Sequence, residues 1–419
     1  MLIRSFRQEF NNPFVSLENV DYRIYWLSSA ISSIGIWMQM IAFSWLAYRL
    51  TDSALLLGIV SAVHYLPSLL LSLFAGAIID RFPSKIILLI THIIGGLLLI
   101  IMWFLIHLQA LQLWQVIIIA FLAGVITSII LPLRQVYVNE LVEKHQLLNA
   151  VALYATVYNL ARFVGPALGG FIIAWTDIGN LFLITGLLFF ATPIAILLIK
   201  KPSKVDTQSV KTGIMAMVKT GVRYSMKDQR IKDIIFIAGI IGVFGINFSV
   251  LLPIVATEIF HGGEIDFGLL MSAVGLGTLI GALTVAASSN KDPKKMFLYQ
   301  GALLLGGLLI VIGIFPVDFL IFICLTLIGF LYVAFATTAA TALQLYSIPD
   351  NVGRVMGIYN LMMVGASPIG NLYSGGIANF AGIRWAFITC GLGLLFFYLI
   401  YFFNKKKNKT DDVIVLLDS

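Results

Sequence analysis

The sequence predicts an all-α membrane protein with twelve transmembrane helices, and three observations carry that prediction. The 419-residue chain is 60% hydrophobic and only 11% charged, where a soluble domain carries about a quarter charged residues. Apolar runs of roughly 20 residues or more, each enough to cross about 30 Å of hydrocarbon as a helix, recur along nearly the whole length. Helices are the only fitting element, because hydrocarbon offers no partner for open backbone groups and the runs are too long and continuous for barrel strands.

The first run, 24–48, lies between Arg23 and Arg49. Residues 1–22 hold Arg4, Arg7, Glu9, Glu18 and Asp21 without an apolar core, so they read as a cytoplasmic N-terminus and not as a cleavable signal. The first span then serves as its own insertion signal. Runs 54–79 and 85–107 flank a charged loop, 112–138 and 147–175 flank a second one containing Lys144, and 179–199 ends at Lys200. Together these six spans make a first bundle, 23–200. The stretch 201–231 reads as a cytoplasmic linker. In it Ile214, Met217, Val218, Gly221 and Val222 recur at helical spacing while Lys219, Arg223 and Lys227 fall on other faces, which predicts an amphipathic helix along the inner membrane surface. Runs 232–257, 267–288, 295–315, 317–340, 354–379 and 382–403 make a second bundle, 232–403, and 404–419 is left as a cytoplasmic tail.

The net charge of +7 reports topology and not an acidic partner. Of the 27 basic residues, all but Arg49, Arg162 and Arg384 fall on the side that holds the N-terminus. The positive-inside rule then places both termini in the cytoplasm, with membrane lipid as surroundings and no nucleic-acid partner. Cys324 and Cys390 both fall within predicted spans and suggest neither a disulfide framework nor a metal site. The chain has no Gly-Lys pair and hence no nucleotide-binding phosphate loop. No histidine is followed by glutamate, and no GxSxG elbow occurs. An enzyme, a cofactor and a metal centre are therefore not expected.

The two bundles share a weak internal similarity. "LLNAVALYATVYNLARFVGP" in the fifth span resembles "PDNVGRVMGIYNLMMVGASP" in the eleventh, with Asn149 and Pro166 spaced as Asn351 and Pro368 are. Duplication predicts two pseudo-symmetric six-helix bundles with substrate held between them near the midplane, a common plan of secondary transporters.

Two motifs are specific enough to carry a resemblance. In "GAIIDRFPSK", between spans two and three, Gly76 allows close helix approach, and Asp80, Arg81 and Lys85 set opposite charges at a helix junction. This resembles the loop signature of the major facilitator superfamily, with Pro83 in place of a glycine and Ser84 in place of an arginine. The resemblance implies a cytoplasmic gate in a rocker-switch transporter. In "ARFVGPALGG", Pro166 removes one helical hydrogen bond, while Gly165 and Gly169 form a GxxxG face for close packing. Gly165, Pro166, Gly169 and Gly170 look like the superfamily's antiporter motif, which belongs more to exporters than to importers. "PLRQVYVNELVEKHQLLNA" and "NVGRVMGIYNLMMVGASPIG" further resemble the enterobactin-exporter and macrolide-efflux branch. That branch implies export of a bulky small molecule, a siderophore or a hydrophobic drug, across a bacterial inner membrane. It also implies alternating access by a monomer, powered by the proton gradient. A lysophospholipid flippase or metabolite importer of the same fold, and a non-transporting sensor or assembly factor, are the competing expectations.

Arg162 is the basic residue expected deep in a span, about 15 residues or roughly 22 Å from the start of span five. A cation there needs water or a partner. One expectation puts it in the central cavity, attracting a substrate with anionic or acceptor oxygens. The other has it bonded to carbonyls freed near Pro166, or to Asn159. Trp37, Gln39, Tyr65, Asn159, Asn247 and Asn360 are the further cavity candidates, because amphipathic side chains suit large, partly apolar cargo. No carboxylate lies at the midplane, and "AFLAG" in span four lacks the arginine that many proton-coupled relatives carry. Antiport is thus implied by the resemblance alone, and His64 is the candidate for proton coupling.

Overall fold

The computed structural model describes residues 13–202, 214–287, 294, 296–348 and 351–417, with the side chains of 72–81, 214–219 and 404–417 outside the description. Helices and their connecting turns account for the described residues, with no strand among them. After a 3-10 turn at Val15–Glu18 come five continuous helices: α1 (Val20–Thr51), α2 (Ala54–Arg81), α3 (Ser84–His107), α4 (Leu113–Leu141) and α5 (Leu147–Trp175). The sixth predicted span is α6 (Ile178–Phe189) followed by α7 (Ala191–Leu198), and the linker carries α8 (Ile214–Lys227). The seventh is α9 (Gln229–Phe244), α10 (Phe248–Ile254) and a π-helical turn at Val255–Ile259. Next are α11 (Glu264–Ala287), a π-helical turn at Met296–Gln300 leading into α12 (Gly301–Ile314), and α13 (Asp318–Tyr346). The last helices are α14 (Val352–Met363), α15 (Ser367–Ala381) and α16 (Ile383–Leu417), so helix continues through 404–417 of the expected cytoplasmic tail.

The starts of the helices are set locally. Asn19, Ser53, Asp177 and Asp228 each accept a backbone N–H in the first turn of α1, α2, α6 and α9, satisfying donors that the helix leaves open. Eleven stretches among the described residues are helical, long and apolar enough to cross a membrane, which makes this a multi-pass membrane protein. The run at 354–379 is not one of them. It is divided into α14 and α15 around Val364–Ala366, and neither piece is long enough alone. The division falls one turn before Pro368, which has no N–H to donate to the Val364 carbonyl four residues earlier. The Val364 carbonyl accepts the Ser367 N–H at 3.1 Å instead.

The near end of the bundle is the end that holds the start of α1, and the far end is the opposite one. Helices preceding α8 pack as α1 with α5, α2 with α4, and α3 with α6; those following it pack as α11 with α13 and α12 with α16. The two most extensive crossings between the sets are α5 on α11 and α2 on α15. Apolar lipid gives helices little reason to associate by hydrophobicity, so small residues that allow backbone contact decide where they cross. A Cβ on Gly268 would lie 2.7 Å from the Pro166 carbonyl, and one on Gly58 would lie 2.7 Å from the Asn371 carbonyl. Gly170 and Gly375 complete the same two crossings from the facing helices.

Side chains tie the far end as well. Ser53 Oγ donates to Asn379 Oδ1 at 3.1 Å, Trp45 Nε1 to Glu264 Oε1 at 3.2 Å, and Thr257 Oγ1 to the Tyr48 hydroxyl at 3.1 Å. Each of these bonds links a helix preceding the linker with one following it.

Candidate functional site

A cavity of about 250 Å³ lies between the two sets of helices. One wall is built by α1 with Trp37, Gln39 and Met40, by α2 with His64 and Tyr65, and by α5 with Tyr158 and Arg162. The facing wall uses two helix breaks. The interruption at Gly245–Asn247 between α9 and α10 brings Ile246, Phe248 and Ser249 to the cavity. The break between α14 and α15 brings Val364, Ser367 and Asn371, while α13 supplies Tyr332.

Arg162 sits in an aromatic frame. Its guanidinium carbon lies 4.9 Å from the ring centre of Trp37 and 5.2 Å from that of Tyr332. Cation–π attraction of this kind is worth about 0.5–2 kcal/mol and holds the cation without neutralising it. The cavity lining contains no Asp or Glu. Neither structural bond expected for Arg162 is found among the described residues. Asn159 donates to its own helix at Ala155 O, 2.8 Å away, and the Arg162 carbonyl left without a donor by Pro166 abuts Gly275 of α11. Two further donors in the cavity wall are buried without acceptors among the described residues, Trp37 Nε1 and Asn371 Nδ2. Buried donors that go unpaired are costly, at about 1–3 kcal/mol each. The arrangement as a whole presents positive charge and N–H groups with nothing acidic to meet them.

The other predicted residues separate into groups. Trp37, Gln39, Tyr65 and His64 line the cavity together with Arg162. His64 Nδ1 lies 3.2 Å from Ala120 O, and since a carbonyl can only accept, that nitrogen carries a proton. Asn159, Asn247 and Asn360 are not among the lining residues. Asn247 is buried at the α9–α10 interruption, where its amide caps Val243 O at 2.8 Å, because a broken helix needs a donor for the carbonyl it frees. Asn360 lies on an exposed face of α14, and its carbonyl accepts the Val364 N–H where that helix ends. Among the gate residues, the side chains of Gly76, Asp80 and Arg81 lie outside the described residues. Lys85 is described: its ammonium donates to Ile199 O at 2.7 Å, at the carbonyl end of α7, where a cation is favoured.

The glycine motif of α5 meets two different helices. Gly165 and Gly169 pack against α1, where a Cβ on Gly165 would come 2.8 Å from Trp37 Cβ, and Gly170 packs against α11 at Gly268. The motif therefore fixes Trp37 beside Arg162 as well as crossing between the two sets of helices.

One expectation is overturned. Arg162 is half-buried, whereas Arg134, which the charge pattern groups with the near-side loops, is only 1% exposed. Arg134 donates to Ser33 Oγ and Ser32 Oγ at 3.0 Å, and its Nη2 lies 3.1 Å from His92 Nε2. A guanidinium can only donate, so His92 Nε2 is the acceptor and its Nδ1 carries the proton, 2.9 Å from Leu88 O. The cation is buried because α4 runs on to Leu141, about 10 Å beyond Arg134, and because two α1 hydroxyls and an imidazole replace its water. Tyr158, Tyr332 and Asn371 are cavity residues that sequence reasoning passed over; each stands in an apolar run where aromatic and amide groups look like packing.

Among the described residues no group of three or more His, Cys, Asp or Glu is placed to hold a metal ion. Comparison with known proteins agrees with this architecture. A bacterial homologue of the human lysosomal transporter Spinster superposes with a TM-score of 0.68 at 11% identity, covering 91% of this chain and 96% of that one. A Staphylococcus aureus staphyloferrin A transporter is 27% identical over 381 residues, 89% of this chain and 93% of that protein. The multidrug efflux pump Tap of Mycolicibacterium fortuitum is 25% identical, covering 86% of this chain and 90% of that protein. The family model for transmembrane secretion effectors matches residues 11–416, and the protein therefore belongs to that family, an efflux branch of the major facilitator superfamily made up of transporters and not enzymes.

Proposed function

We propose that the protein exports an anionic small molecule, a siderophore, from the cytoplasm across a bacterial inner membrane. The observation that carries this reading is the acid-free cavity with Arg162 held by Trp37 and Tyr332 and with unpartnered N–H donors at Trp37 and Asn371. An anionic cargo supplies the acceptors that this wall lacks, in a site where low dielectric strengthens the attraction. The staphyloferrin A transporter among its relatives supports a siderophore as the class of cargo. The aromatic lining and the relationship to Tap favour a second reading, a hydrophobic drug, whose binding would lean on Trp37, Tyr65 and Phe248 more than on Arg162.

The cycle we infer is alternating access by a monomer with twelve spans, six on each side of the linker, and with α14 and α15 acting together as span eleven. Glycine crossings and side-chain bonds at the far end support a conformation closed toward the outside. The loop containing Gly76, Asp80, Arg81 and Lys85 would latch the opposite state. Proton antiport would drive the cycle, with His64, the imidazole in the cavity wall, as the coupling group.

Transport into everted vesicles tests the cargo class. Arg162→Gln is expected to cut uptake of an anionic siderophore by about tenfold or more, the effect of losing about 1.4 kcal/mol, and Arg162→Lys to recover only part of it. Both variants should reach the membrane at normal levels. Uptake of a neutral macrolide should change much less. Equal transport of the siderophore by wild type and both variants would exclude Arg162 as its binding group.

A further inference from the structure

A second recess, of about 580 Å³, runs along α9 between α8, the α14–α15 break and α16. Apart from Ser225, Lys232 and Tyr401 its lining is apolar. Ring pairs stand towards its two ends: Phe236 on Tyr401 at 4.1 Å and Phe244 on Phe397 at 5.8 Å. Gly239 keeps the floor open, since a Cβ there would have Met362 Sδ at 3.4 Å as its nearest neighbour.

We propose that this recess is a binding site for an anionic phospholipid, with one acyl chain along α9 and the phosphate at Lys232 and Ser225. Length is the first argument. From Lys232 to Phe244 the helix rises about 18 Å, close to one leaflet of a hydrocarbon core about 30 Å thick. Charge is the second. The Lys232 ammonium makes no hydrogen bond or ion pair among the described residues, and it lies at the near end, where the membrane presents anionic headgroups. No neighbouring carboxylate forms an ion pair with it among the described residues. Asp228 is paired with Arg230 at 2.8 Å, and the buried Asp233 accepts from Gln229 at 2.8 Å and from Tyr401 at 3.0 Å. The third argument is Ser225, 3% exposed in the wall of the recess, whose hydroxyl has no partner among the described residues. A phosphate or glycerol oxygen supplies that partner, while hydrocarbon alone leaves the hydroxyl unpaired.

Native mass spectrometry of the purified full-length protein tests the site, with phosphatidylglycerol, phosphatidylcholine and glycerol phosphate as probes. Wild type is expected to retain phosphatidylglycerol at least about tenfold more tightly than phosphatidylcholine, and not to bind glycerol phosphate, which lacks chains. Lys232→Gln should erase the preference between the two lipids, Lys232→Arg should keep it, and Gly239→Leu should displace both lipids by filling the floor. Equal retention of the two lipids by wild type overturns the proposal without reference to any variant. Retention of glycerol phosphate as tightly as the intact lipid also overturns it, since the apolar recess would then contribute nothing. So does a wild-type dimer that excludes lipid, which would make the recess an interface between copies.

Discussion

Two arginines with the same formal charge do different work because their surroundings differ. Arg162 is held over rings and its guanidinium makes no hydrogen bond among the described residues, while Arg134 spends its capacity on Ser32, Ser33 and His92. Arg134→Gln should therefore lower the thermal stability of the purified protein, by about 1–3 kcal/mol for each acceptor left without a donor. The serines can turn to other partners and the imidazole nitrogen cannot, so most of that loss belongs to His92. An unchanged unfolding temperature in a melting experiment would show that the network contributes nothing to the fold. The sequence revealed Arg162 because it stands inside an obvious apolar run. It hid Arg134, which sits near the end of its run and whose partners lie on other helices, Ser32 and Ser33 about 100 residues away on α1 and His92 on α3. A residue's partners across helices are not encoded in its neighbours along the chain, and this is also why Asn247 looked like a cavity residue and is a cap.

At the scale of the helices, the sequence located nearly every element, because runs of apolar residues bounded by charges translate directly into membrane spans. It did not show which spans are broken. Pro166 and Pro368 occupy matching places in the internal repeat, yet α5 passes through Pro166 unbroken while Pro368 follows a break. At Pro166 the freed Arg162 carbonyl and Phe163 Cα pack on Gly275 of α11, whereas at Pro368 the freed Val364 carbonyl accepts the Ser367 N–H. Element packing at the far end makes a prediction of its own. Ser53 and Asn379 touch across the α2–α15 crossing, so Ser53→Cys combined with Asn379→Cys should cross-link under oxidation and stop transport, with recovery on reduction. Full transport by the oxidised, cross-linked protein would show that these helices never separate. Cys324 and Cys390 are buried and should not interfere.

At the scale of the molecule, charge asymmetry argues for an orientation with the near end in the cytoplasm. The turns at Asp52, Gln109 and His261, each with a left-handed residue, belong to the far end. Alkaline phosphatase fused after any of these three should be active, since it folds only outside, and fusions after Phe82, Lys144 or Lys201 should be inactive. The reverse pattern would invert the direction of the proposed export. The fold was legible because it depends on summed hydropathy. The cavity was legible only in part, since about half of its wall comes from helix breaks and from aromatic residues that resemble ordinary packing. The break between α14 and α15 carries a consequence of another kind. Val364 and Ser367 border the central cavity while Met362, Ala366 and Ile369 border the recess along α9, so any change of angle at this joint that widens one space moves a wall of the other. With a lipid in the recess as proposed, part of the work of moving cargo would be done against the lateral pressure of the acyl chains, and bilayer composition would enter the energetics of turnover as load enters those of a hinge.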